Sequence, residues 1–299
     1  MQSYRKQFLG EDAGTTGFDD AFVIIVPFCY EGGVSYGRGT ANGPDAIIAA
    51  SSHLELYDEV LQAEPHSVGI CTVKPPAIPE NPEAMNQIVY GITKEILAQD
   101  KFVVAIGGDH SITPPCFRAL HEKFGALSVI QIDAHADLRP SYAGSPLSHA
   151  CVMSRIREQT NHTLQIGLRS FSAEEARRIK DENLAVCTMQ DYRQGRFDLS
   201  SALQRLPDPV FITFDVDVFD WSVVRSTGTP EPGGLLWDEA LSMLQEIFVS
   251  KEVVGFDVVE LAHDEHDRNS AFAAAKLIYK MIGLKYFQKE QPPREEPST

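Results

Sequence analysis

Six short apolar runs constrain the fold most: Ala21 to Pro27, Phe102 to Ile106, Leu127 to Ile132, Thr163 to Ile166, Val210 to Phe214 and Val253 to Val259. A strand with one wet face alternates polar and apolar residues, and most of these runs do not. They read instead as strands covered on both faces, the condition of a parallel sheet between helical layers. Amphipathic stretches alternate with them and predict helices over Pro82 to Gln99, Pro114 to Lys123, His149 to Arg157, Ala173 to Glu182, Trp237 to Phe248 and Ala271 to Ile282. Strand–helix alternation of this kind predicts an α/β architecture. The proline-rich segment Lys74 to Pro82 reads as a loop entering a helix rather than a boundary, and no internal repeat is evident. One domain over 1–299 is expected, with a charged, proline-containing tail at 288–299 expected to be disordered.

Composition removes several function classes. Hydrophobic residues make up 43% and charged residues 23%, which suits a globular enzyme, and no apolar run is long enough to span a bilayer. The opening Met1-Gln2-Ser3-Tyr4-Arg5-Lys6 leads into polar and glycine-rich sequence, so secretion is not expected. Cys29, Cys71, Cys116, Cys151 and Cys187 show no paired spacing, which fits a reducing cytoplasm. A net charge of −16 argues against nucleic acid or anionic lipid as a partner, and it would welcome a cationic substrate.

Three strings of acidic and imidazole residues follow apolar runs: Gly107-Gly108-Asp109-His110, Asp133-Ala134-His135-Ala136-Asp137 and Asp215-Val216-Asp217. In extended chain every second side chain points the same way, so residues at i, i+2 and i+4 can converge. Open α/β sheets place their binding crevices beyond the carboxyl ends of the strands, where these strings fall. A lone Asp-X-Asp is a common loop feature. Four carboxylates and two imidazoles together need compensating positive charge, and two divalent ions supply it. Oxygen-rich donors with two nitrogens and no thiolate favour manganese over zinc or copper, with iron, cobalt and nickel left open. Asp109 alternates away from the cluster and is expected to bind backbone, and Cys151 is expected to be a buried thiol.

These strings, with Gly39-Thr40-Ala41-Asn42-Gly43-Pro44 and Gly228-Thr229-Pro230-Glu231-Pro232-Gly233-Gly234, resemble the signatures of the ureohydrolases, the arginase and agmatinase family of two-manganese enzymes. The likeness covers nearly the whole chain. It implies a three-layer αβα domain with a mostly parallel sheet of about eight strands, assembled as a trimer or hexamer. By the same resemblance, His110, Asp133, Asp137 and Asp215 would hold one manganese and Asp133, His135, Asp215 and Asp217 the other. A hydroxide shared by the metals would attack a guanidinium carbon, giving urea and an amine. Glu260 matches the glutamate that pairs with the guanidinium, and His149 the histidine that shuttles protons. Without the likeness, Glu260 would read as a cap or solvated carboxylate, and His149 as a first-turn helix residue.

The segment between Asp137 and His149 lacks the asparagine and the serine-glycine-asparagine run of arginases, and Ala150-Cys151-Val152-Met153 looks similar to agmatinases. Agmatine is therefore the leading substrate, hydrolysed to putrescine and urea. Alternatives are 4-guanidinobutyrate, guanidinopropionate or arginine, with Arg139 a candidate for a substrate carboxylate or for a salt bridge to a neighbouring acid. A silent metabolite-binding relative would lack a ligand, and a deacetylase-like enzyme would hold one zinc. Trp221 and His263 depart from the family pattern, and either could reshape the pocket for the substrate tail.

Overall fold

The computed structural model describes residues 1–33 and 35–287; the expected tail at 288–299 lies outside them. Eight strands form one sheet: β1 (Val23–Phe28), β2 (Ile70–Thr72), β3 (Phe102–Gly107), β4 (Ser128–Ile132), β5 (Thr163–Leu168), β6 (Ala185–Thr188), β7 (Val210–Asp215) and β8 (Val253–Val259). Their order is β2-β1-β3-β8-β7-β4-β5-β6, and every pairing is parallel. Nine α-helices are described: α1 (Gly43–Ser51), α2 (Pro82–Leu97), α3 (Thr113–Phe124), α4 (Val152–Arg157), α5 (Ala173–Asp181), α6 (Met189–Arg193), α7 (Leu199–Arg205), α8 (Trp237–Ser250) and α9 (Arg268–Phe287).

The continuous apolar runs divide their residues between two cores. On β1, Val23 and Ile25 pack with Ile47 and Ile48 of α1 on one face, while Ile24, Val26 and Phe28 pack with Met85 and Val89 of α2 on the other. Helices α1 and α6 to α9 cover the first face, and α2 to α5 the second. This is the expected three-layer αβα fold, wholly parallel rather than mostly so.

All six expected strands form, within two residues at their ends. The two unforeseen strands lie at the sheet edges. β2 is three residues long and β6 is only partly buried, so neither carries the long apolar signature of a covered strand. Of the unforeseen helices, α1 starts at Gly43 within a segment read as a cleft loop, and α6 and α7 are short pieces capped by Thr188 and Asp198. The stretch His149 to Arg157 is a 3-10 turn over His149–Cys151 followed by α4 rather than one helix. No described helix is long and apolar enough to cross a membrane.

Parallel pairing brings all the carboxyl ends to one side of the sheet. The central neighbours β3, β8, β7 and β4 carry the three strings and Glu260. Strands β3 and β4 follow one another in the chain but are separated in the sheet by β8 and β7, which makes this the switch point where a crevice opens.

Candidate metal centre

Local backbone geometry aims each acidic group inward. Asp133 Oδ1 accepts the N–H of His135 at 2.6 Å, and Asp215 Oδ1 accepts the N–H of Asp217 at 2.8 Å, so both strings turn back around their first carboxylate. Asp137 has a left-handed backbone (φ 52°), and its carbonyl accepts the N–H groups of Met153 and Ser154 at the start of α4. Glu260 is also left-handed (φ 67°). Each such residue without glycine's freedom costs about 1 kcal/mol or more, and such strain gathers at functional sites.

His110 lies where the strings meet. Its Nδ1 is 3.2 Å from Asp133 Oδ2, 3.1 Å from Asp137 Oδ2 and 3.3 Å from Asp215 Oδ2. His135 Nδ1 lies 2.8 Å from Asp217 Oδ2 and 3.6 Å from Asp133 Oδ1. Two groups with metal-ligand spacing result, His110 with Asp133 and Asp137, and His135 with Asp133 and Asp217. Within each the donor atoms lie no more than 4.8 Å apart, and Asp133 belongs to both.

The electrostatics explain why such a cluster calls for cations. Burial, with the charge of Asp133, pushes the Asp137 carboxyl up to about 7, and burial with the neighbouring acids holds Asp215 well above the ordinary range. Burial works against the charge on His135, yet Asp217 and Asp133 raise it to about 12. The carboxylates repel one another, and the imidazoles take up protons to compensate. His110 Nδ1 is buried and makes no hydrogen bond, although three carboxylate oxygens face it. An imidazole nitrogen aimed at converging carboxylates, with no aligned partner, fits a pair of divalent ions.

A cavity of about 280 Å³ opens on this cluster. Seven of the eight site residues expected from the sequence line it: His110, His135, Asp137, His149, Asp215, Asp217 and Glu260. Asp133 is fully buried beneath them. His149 starts its 3-10 turn edge-on to the Tyr142 ring, with centroids 5.7 Å apart. Burial lowers its pKa, and its Nδ1 makes no hydrogen bond. Glu260 Oε1 accepts the backbone N–H of His110 at 2.7 Å. Burial and the charge of Asp109 hold the Glu260 carboxyl well above the usual range. Arg139 also lines the cavity, with its Nε 3.8 Å from Glu175 Oε2. Neither Trp221 nor His263 does, and half-exposed Trp221 lines a different groove with Arg225 and Glu265. Asp109 turns away as expected and accepts the N–H groups of Gly32, Gly33 and Ser111. Cys151 is a buried free thiol.

Sequence reasoning missed the residues that hold the cluster from below. The Gln131 amide donates to Asp133 at 2.7 Å and to Asp137 at 3.3 Å, and Gln165 supports it through Gln131 Oε1. Thr213 Oγ1 lies 2.8 Å from His110 Nε2, and Thr113 donates to buried Asp257 nearby. Arg169 donates to the carbonyls of Asp217 and Glu231, tying together the loops on either side of His135. A polar residue breaking an apolar strand run was the signal available for Gln131, Gln165, Thr213 and Asp257.

Comparison with known proteins agrees with this geometry. The Arginase family model matches residues 21–283. A protein named N(1)-aminopropylagmatine ureohydrolase from Synechocystis sp. is 39% identical over 287 residues, 93% of each chain. The agmatinase of Pyrococcus horikoshii is 35% identical over 95% of this chain and 99% of its own. The crystal structure of the agmatine ureohydrolase of Thermoplasma volcanium superposes with a TM-score of 0.84 at 27% identity, covering 94% of each chain. The likeness carried by the three strings is therefore a true relationship, and the chain belongs to the arginase family.

Proposed function

We propose that the protein is a two-manganese hydrolase that releases urea from an amine-terminated guanidino compound, either agmatine or its N1-aminopropyl derivative. In this reading His110, Asp133, Asp137 and Asp215 would hold one ion and Asp133, His135, Asp215 and Asp217 the other. When bound, such a pair would supply positive charge and acidify a water.

The chain's own residues do the rest. Glu260 pairs with the substrate guanidinium, because its Oε1 is fixed on the His110 amide while the carboxylate faces the cavity. A guanidinium and a carboxylate make two parallel charged hydrogen bonds, so this contact fixes the plane of the group to be cleaved. His149, kept neutral by burial, stands at the cavity wall to carry a proton to the departing amine nitrogen. Asp137 is held by its own turn and by Gln131, and it keeps its oxygen directed at His110.

The observation that carries the reading is the single hydrogen bond from the His110 amide to Glu260, which ties a guanidinium-pairing group to a candidate metal ligand. The aminopropyl alternative rests on the 39% identity to a relative of that name. A urea-release assay on manganese-loaded protein tests the proposal. It should offer agmatine, N1-aminopropylagmatine, arginine, 4-guanidinobutyrate and guanidinopropionate. Turnover of one of the two amine-terminated substrates is expected, and turnover of a carboxylate-bearing guanidine alone would overturn the substrate class. A cytoplasmic setting and a trimer or hexamer belong to the same reading, and light scattering tests the assembly.

A further inference from the structure

A second cavity, of about 410 Å³, adjoins the catalytic one between α4 and α5. The two share Arg139, Ser172 and Glu175 as lining residues, so these side chains form the partition between them. The partition has one fixed member and one loose member. Glu175 is buried and accepts from the N–H groups of Leu138 and Ser172 and from the Ser172 hydroxyl. Arg139 meets it at only 3.8 Å, with 41% of its side chain exposed, and its guanidinium carbon also lies 5.4 Å from the centroid of the Tyr142 ring. The arginine can move off while Glu175 stays.

Charges around the second cavity are mostly committed. Arg155 is paired with Glu158 at 3.0 Å, and Arg157 and Arg178 share Glu182 at 2.9 and 2.8 Å. Glu174, exposed in the first turn of α5, lines the cavity with no ion pair to any described residue. Two arginines on one carboxylate offset Glu174, so the surroundings are close to neutral, and Glu174 is the one lining carboxylate without an ion-pair partner among the described residues. An ammonium would find an acceptor there that no described cation already holds.

We infer that the second cavity is a tail subsite for an amine-extended guanidine longer than agmatine, entered when Arg139 swings away from Glu175, with Glu174 receiving the terminal ammonium. The inference rests on the proposed function and chooses the longer of its two substrates. An aminopropyl extension adds three carbons and an amine to agmatine, the added length that an adjoining second cavity would receive.

The test compares kcat/KM for N1-aminopropylagmatine with that for agmatine on the manganese-loaded parent, Glu174→Gln and Arg139→Ala. The parent should prefer the longer substrate. Glu174→Gln should lower the preference about threefold, the scale of an exposed ion pair. Arg139→Ala should raise it about threefold, the scale of a half-exposed ion pair. Urea from both substrates with the same preference in all three proteins would overturn the tail subsite and leave the catalytic reading standing. No urea from either substrate, with metal bound, would overturn both.

Discussion

The backbone N–H of His110 donates to Glu260 Oε1 at 2.7 Å, so the end of β8 is fastened to the turn that follows β3. One short bond thereby sets how far a guanidinium held by Glu260 can lie from the buried acids around His110. Because the acceptor is a single oxygen, Glu260→Gln can keep that bond through its amide oxygen while removing the charge and putting an NH2 donor in place of the second acceptor. Manganese content should stay at the parent value while kcat/KM falls about 100-fold, the cost of a lost charge-assisted pair. A variant with parent-like kcat/KM would remove Glu260 from substrate binding.

Gly228 faces the other oxygen of the same carboxylate. A β-carbon added there would lie 3.2 Å from Glu260 Oε2, tighter than an ordinary contact. Gly228→Ala should therefore turn the carboxylate and raise KM about tenfold, on the scale of one charged hydrogen bond, with metal content unchanged. An unchanged KM would show that Glu260 has room to adjust.

Gln131 donates to both Asp133 and Asp137 from inside β4. Gln131→Leu keeps a similar volume and leaves both carboxylates without their amide. Outer-shell losses of this kind weaken metal binding about 10- to 100-fold. Isothermal titration with manganese should show that drop, and parent-like affinity would assign Gln131 to packing alone.

The gathering of the acidic and imidazole strings was legible because it rides on the most visible strands. Runs such as those ending at Ile132 and Phe214 are apolar on both faces, and their parallel packing puts whatever follows at one end of the sheet. The strings could therefore be placed without coordinates, whereas Glu260 and His149 were singled out only by the family resemblance. The edge strands β2 and β6 escaped because an edge needs neither length nor full burial. The turned backbones of Asp137 and Glu260 were not visible, since tertiary contacts and not local propensity impose them. Nor were the contacts of Gln131 or Arg169, which depend on strand register and on loops distant in sequence. The tail wall was only half readable: Arg139 stood out as an unusual charge, but its partner Glu175 is 36 residues further along the chain.

Protein freed of metal should lose stability as pH rises. Asp137, ordinarily near 3.8, is raised to about 7, and His135, ordinarily near 6.5, to about 12. In both cases the folded state binds more protons than the unfolded one, the first between pH 3.8 and 7 and the second between pH 6.5 and 12. Stability then falls with rising pH across both windows. Asp215 and Glu260, also raised, act in the same direction, while Asp133 is depressed and its contribution is already complete above pH 3.8. Differential scanning fluorimetry after dialysis against chelator should show Tm falling from about pH 5 to 8, with a shallower slope when manganese is restored. A Tm that rises across this range without metal would contradict the charge balance described for the site.

The most direct test of the central claim, that the six clustered side chains hold two divalent ions sharing Asp133, is the metal-to-chain ratio of manganese-reconstituted protein, measured by elemental analysis beside Asp217→Asn. The account predicts two ions per chain in the parent and one in the variant, where the group around His110, Asp133 and Asp137 is left intact. A parent that binds one ion or none would contradict it.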